Sequence, residues 1–147
     1  MRYLARKYGL VGKDNKQLTR IELMEQQASD VRMSLFKILN FDTDYETMRA
    51  QRLATLPKDL DLLSKFLGDG PFVAGEEVSY ADFILYDTLD FFRLFEQGAL
   101  DGHATLAAFL DRIEALPHLS DYFKSDKFHR FPIAGPRTHW GGQRDQN

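Results

Sequence analysis

Val78-Ser79-Tyr80-Ala81-Asp82-Phe83 writes a complete helix start ahead of an unusually apolar segment. Ser79 is the N-cap: its hydroxyl can accept from the Asp82 backbone N–H, while the Asp82 carboxylate can reach back to the N–H of Ser79. Val78 can pack on Phe83 as a hydrophobic staple. The residues that follow, FILYDTLDFFRLF from Phe83 to Phe95, are apolar nearly all round rather than along one stripe. That pattern predicts a core helix with other helices on most sides. Its first N–H groups are then buried, and an unpaired buried donor costs about 1–3 kcal/mol. Ser79 and Asp82 therefore read as a structural capping box whose loss hurts folding before chemistry.

Outward from this helix the pattern stays helical. Arg2 to Tyr8 carries helix formers with Gly9 as C-cap, and Gly12 to Lys16 reads as a polar linker. Thr19, with Glu22 three residues on, is the expected N-cap of the next helix. Along it Ile21, Met24, Ala28, Val31, Leu35 and Ile38 recur at steps of three and four, one apolar stripe. A second long helix is expected from Tyr45 to Leu67, with Leu53, Leu56, Leu60, Leu63 and Leu67 on one face and Gly68 as its stop. Pro57 inside it should kink it without ending it. Beyond the central helix, Thr105 is the expected cap of a helix reaching Ala115 or Leu116, and Pro117 restarts a shorter one through Lys124. The segment from Phe131 to Pro136 is too rich in proline and glycine for helix, and Gly141 to Asn147 is polar enough for disorder. The fold class expected is all-α, a helical bundle around a buried central helix.

Composition narrows the function classes. The chain has 147 residues, 44% of them hydrophobic, with twelve Phe, enough for one globular domain with a substantial core. A formal net charge of -3 with scattered Lys and Arg gives no electrostatic reason for nucleic acid or an anionic membrane as partner. Cysteine is absent, which excludes disulfides and thiol catalysis by this chain. His103, His118, His129 and His139 show no ligand spacing, so no metal is expected. Neither a signal peptide nor a membrane span is written, and cytoplasm is the expected address.

Several motifs resemble one family. Gly68, Pro71-Phe72-Val73-Ala74-Gly75 and Val78 to Phe83 look like the hallmark region of the helical C-terminal domain of cytosolic glutathione transferases. The opening MRYLARKYGL, Gln27-Ala28-Ser29-Asp30-Val31-Arg32-Met33, Leu56-Pro57-Lys58, Leu85-Tyr86-Asp87, Tyr122 to Ser125 and His139-Trp140 are similar to the mu class. The resemblance implies that 1–12 is the last helix of a thioredoxin-like domain plus linker, 13–130 the helical domain, and 131–147 an extended C-terminal tail. It implies conjugation of glutathione, as co-substrate and without a further cofactor, to hydrophobic electrophiles by a homodimer.

In that family the glutathione thiol, whose ordinary pKa lies near 8.5, is activated by a tyrosine hydroxyl of the thioredoxin-like domain. None of the tyrosines here stands in that context, so these residues by themselves are expected to be inactive. By resemblance Asp30 contacts the γ-glutamyl ammonium of glutathione held by the other subunit, as a charge-assisted hydrogen bond. Arg32 and Met33 fall where the family lines the electrophile pocket. Either Asn40 or Phe41 falls where the family carries a tyrosine, and neither has a phenolic hydroxyl. Ala134 and Gly135 replace larger or polar pocket-closing side chains, and Trp140 looks like the anchor of the returning tail. Asp87, Asp90 and Arg93 read as a structural charge network. A second reading is a non-catalytic helical interaction module, towards which Asn40, Ala134 and Gly135 lean.

Overall fold

The computed structural model describes residues 1–41 and 44–142, the side chain of Phe41 excepted. The segment that starts at Ser79 is helix α4, Tyr80–Phe95. Both halves of its capping box are in place, and the Asp82 side is the stronger. One carboxylate oxygen accepts from the Ser79 N–H and the Ser79 hydroxyl, each at 2.7 Å, and the other from the Val73 N–H at 2.8 Å. The carboxylate thus ties the turn before the helix to the helix itself. Burial pushes the Asp82 carboxyl above its ordinary value against the pull of these bonds. Asp87 is the one exposed residue of α4, as the all-round apolar pattern requires.

Five further helices complete the fold among the described residues: α1 Arg2–Lys7, α2 Asn15–Phe41, α3 Tyr45–Leu67, α5 Ala104–Glu114 and α6 Pro117–Phe123. Helix α4 packs between α2 and α5, and α3 lies against α2. The α2 stripe is buried throughout, with Leu39 added to it. Ala28 and Thr88, both closed to solvent, mark the place where α2 meets α4. The Thr88 hydroxyl satisfies itself there on the carbonyls of Ile84 at 2.9 Å and Ala28 at 3.3 Å. Helix α3 runs unbroken through Pro57 and stops at Gly68, whose φ of 71° suits a residue without a Cβ.

Two helix starts differ from the sequence expectation. Helix α2 begins at Asn15, inside the stretch read as linker, because Asp14 rather than Thr19 is its cap. Asp14 Oδ1 accepts from the Gln17 N–H at 2.8 Å, and Gln17 Oε1 accepts from the Lys13 N–H at 2.7 Å. Thr19 lies one turn inside and donates to the Asn15 carbonyl at 2.7 Å. Helix α5 is capped by the backbone of His103, with no side-chain bond, so Thr105 is already its second residue.

At the chain start, α1 ends as expected at Gly9, whose φ of 72° lets the Leu10 N–H turn back to the Ala5 carbonyl at 2.8 Å. Only Ala5 of this helix is buried. It is fixed to the bundle by polar contacts: Arg2 Nε and the Tyr80 hydroxyl both donate to Glu25 Oε2, at 2.8 and 2.7 Å. The Tyr80 N–H, an open donor at the start of α4, is taken by the Leu10 carbonyl at 3.0 Å. The Tyr80 phenol is pushed up to about 12, by burial first and then by Glu25.

At the other end the chain returns without helix. The Ile133 and Ala134 N–H groups donate to the Gly141 carbonyl, and the His139 N–H donates to the Leu39 carbonyl at 3.2 Å. His139 stacks on Tyr45 at 4.6 Å between ring centroids. Trp140 packs on Phe95, Phe91 and Phe131, with centroids 5.1, 5.8 and 6.0 Å away, as the anchoring role requires. Of the segment expected to be disordered, Gly141 and Gly142 are ordered parts of this return; 143–147 lie outside the described residues.

Candidate functional site

Asp30, Arg32, Met33 and Asn40 all lie on α2, and its 100° per residue decides what they can share. Met33 and Asn40 fall on one strip together with Phe36. Arg32 sits at that strip's edge towards α4, and Asp30 lies on the far side of Met33. The strip is open: Met33 is 49% and Phe36 38% exposed. Large apolar groups left in water at helical spacing are what a binding face needs and what a solvated face avoids. The core pattern of the sequence does not mark Phe36, which is off the core stripe; its position three residues after Met33 is the available signal.

The polar members are held to different degrees. Arg32 donates to Asp87 of α4 at 2.5 Å while its guanidinium lies 5.0 Å from the centre of the Phe91 ring. Its direction is therefore set by two contacts on the neighbouring helix. Asn40 Nδ2 donates to the Phe36 carbonyl at 2.7 Å, which turns the amide back along its own helix. Asp30 is exposed and accepts from Gln26 Nε2 at 2.9 Å, leaving the rest of its carboxylate in water. Gly135 is exposed on the returning tail, its carbonyl accepting from the Thr138 hydroxyl at 2.7 Å. Phe41 closes α2, and its side chain lies outside the described residues.

Beside the strip runs the expected charge network, with one change of membership. Arg93 donates to Asp90 and to Glu114, both at 2.5 Å, and Arg130 holds Asp90 from the tail side at 2.8 Å. The Tyr86 hydroxyl donates to Glu114 at 3.0 Å. Asp87 stands outside this network because its partner is Arg32. Burial pushes the Glu114 carboxyl up, but the hydrogen bond and charge of Arg93, with Tyr86 behind them, more than offset it and leave it below its ordinary 4.5. A depressed carboxyl contributes stability above its unfolded value and loses it as pH falls through the folded one. The melting temperature should therefore fall on acidification below about pH 4.5 less steeply in Glu114→Gln than in wild type. Parallel curves from thermal melts across this range would refute the assignment.

Arg52 is a second residue that the sequence reading missed. It is 7% exposed, on the buried side of α3. The signal was present, since 52 precedes Leu56, Leu60, Leu63 and Leu67 in the same four-and-three register. Among the described residues no group of three or more metal-type ligands converges, and no helix is long and apolar enough to cross a membrane.

Residues 29–126 match the family of the glutathione S-transferase C-terminal domain. The chain is 39% identical over 142 residues to glutathione S-transferase Mu 1 of Oryctolagus cuniculus, covering 97% of this chain and 65% of that protein. Glutathione S-transferase Mu 2 of Mus musculus is 39% identical over 140 residues, with 95% and 64% covered. The chain thus spans about two thirds of the length of these relatives. The fold superposes on the glutathione S-transferase Blo t 8 with a TM-score of 0.87 at 26% identity, covering 95% of this chain and 67% of that one. A Pi-class glutathione S-transferase of Onchocerca volvulus gives 0.83 at 26% identity, with 93% and 67% covered.

Proposed function

Because the chain belongs to the glutathione S-transferase family, matching its C-terminal helical domain and the mu class in particular, we propose that it forms the electrophile-binding half of a transferase that conjugates glutathione to hydrophobic substrates. The observation that carries this reading is the open strip of Met33, Phe36 and Asn40 with Arg32 fixed at its edge. Met is flexible and polarizable, suited to apolar substrates of varied shape, and Phe adds area. A short Gly135 in place of a larger group leaves the tail side wide. Phe41 stays the alternative to Asn40 at the position next to the substrate.

Asp30 serves the partner subunit of a homodimer in this scheme. Its exposed carboxylate faces away from Arg32, free to meet the γ-glutamyl ammonium of glutathione held across the dimer. Residues 1–12 pack under a thioredoxin-like body, 13–130 form the helical domain and 131–147 the closing tail. The outer side of α1 and its C-cap supports that arrangement: Tyr3 is 70%, the capping Tyr8 66% and Leu4 52% exposed, a set of side chains suited to a covering body. The protein works in the cytoplasm. The thiolate is activated from that covering body, by a donor such as a tyrosine hydroxyl lowering the thiol's pKa.

The test follows from this division of labour. The 147-residue chain, assayed with glutathione and an aryl halide, is expected to give no rate above the uncatalysed one. An antibody to it should reveal a distinctly larger protein in an extract of the source organism. Turnover by the chain alone, or a single band at its own size, would overturn the proposal.

A further inference from the structure

The guanidinium of Arg52 is paired on one side only. Nη1 donates to Asp59 at 2.8 Å and to the Thr55 hydroxyl at 3.2 Å. The ring of Phe92 lies beneath, 5.1 Å from the guanidinium carbon. Nε and Nη2 are closed to solvent and have no hydrogen-bond partner among the described residues. In an arginine, the Nε–H and one Nη2–H point the same way and form the fork that grips two oxygens at once. The vacant group is therefore a whole bidentate edge, and leaving it unpaired under cover is costly.

Arg52 is one of the residues that line a groove of about 500 Å³ between α2 and α3, with Ser34, Lys37, Met48, Gln51 and Thr55. Among the described residues no carboxylate lines it, and Lys37 adds a second positive charge at its rim. We propose that the Arg52 fork is an oxyanion site, taking a carboxylate or phosphate group that enters this groove when the flexible Lys37 or Met48 side chain turns aside. The fork supplies two parallel hydrogen bonds, Lys37 a long-range attraction and the Gln51 amide a further donor, while the Ser34 hydroxyl is already given to the Val31 carbonyl at 2.6 Å. The site is separate from the strip on α2 that the proposed conjugation uses, and it does not rest on that reading.

The test uses the full chain labelled with ¹⁵N and the probes inorganic phosphate and acetate, replacing chloride at constant ionic strength. The Arg52 Nε–H signal is identified by its loss in Arg52→Lys. Arg20, whose Nε–H is already bonded to the Val73 carbonyl at 2.9 Å, is the internal reference. The expected result is a saturable shift of the Arg52 signal with either oxyanion while that of Arg20 stays put. The rise in melting temperature that phosphate gives over chloride should vanish in both Arg52→Lys and Arg52→Leu, the second keeping an apolar side chain on the α3 stripe. Lys37→Ala should weaken the midpoint by about two- to fivefold, as befits a rim charge. Equal behaviour in chloride and phosphate would overturn the proposal. So would an Arg52 signal that follows protein concentration instead of the anion, which would make a carboxylate of a second copy the occupant.

Discussion

Replacing Asp82 by alanine is expected to destabilise the domain by about 3 kcal/mol, a large fraction of the stability of a chain this size. The side chain is fully buried and accepts three hydrogen bonds. Alanine strands the N–H groups of Ser79 and Val73, each buried donor costing about 1–3 kcal/mol, less what is regained by no longer burying a carboxyl group. Asp82→Asn keeps one accepting oxygen and should cost about half as much. Asp30→Ala, on the exposed side of α2, should stay within about 0.5 kcal/mol of wild type. Urea midpoints for the three variants decide the matter, and equal midpoints for Asp82→Ala and Asp30→Ala would dismiss the capping box as a structural device. Because burial raises the Asp82 carboxyl, its protonation does not drive acid unfolding: the group's contribution is larger below its unfolded value and declines as pH rises through the folded one.

Phe92→Ala should cost more still, about 4 kcal/mol, the usual range for emptying a phenyl-sized volume in a tight core being 3–5 kcal/mol. Phe92 is closed to solvent on α4 and also carries the guanidinium of Arg52 over its ring. The melting temperature should fall by roughly 12–16 °C on that basis. Two terms are mixed in that figure, cavity and cation–π contact, and they separate in a double-mutant cycle with Arg52→Leu. A coupling of about 0.5–2 kcal/mol is expected, the range for such a contact away from water. Additive effects of Phe92→Ala and Arg52→Leu would show that the ring supports only its apolar neighbours.

The long helices were legible because their patterns admit one solution. The Leu stripe of α3 and the terminating Gly68 leave no other register, and the all-round apolar run after Ser79 has no face to give to water. Helix starts were less so. Both Asp14-x-x-Gln17 and Thr19-x-x-Glu22 satisfy the capping rule, and the choice falls to the first through a contact distant in sequence. Arg20 donates to the carbonyls of Val73 and Phe66, which needs a helix already formed one turn before it. At α5 the threonine lost to a backbone cap because His103 is held by Asp61 of α3, at 3.1 Å. The candidate site was legible only in part. Arg32 and Met33 announce themselves through a motif, whereas the pairing of Arg32 with Asp87 and the half-paired guanidinium of Arg52 depend on which helices become neighbours. Arg52 sits in a leucine register, and a lone charge in such a register is the mark to look for.

The bond between His139 and Leu39 also has a temporal side. A ribosome delivers the chain from its first residue, and the last turn of α2 leaves the exit tunnel long before its partner has been translated. At roughly 5–20 residues per second, the intervening hundred or so residues take about 5–20 s. Through that interval the end of α2 lacks the stacked His139 ring on Tyr45 and the Trp140 wedge against Phe91 and Phe95. The nascent bundle is therefore closed only after the helices described above have all been made, so a stop codon placed just before position 139 would release a chain with its helices formed and its seam open, a natural client for chaperones.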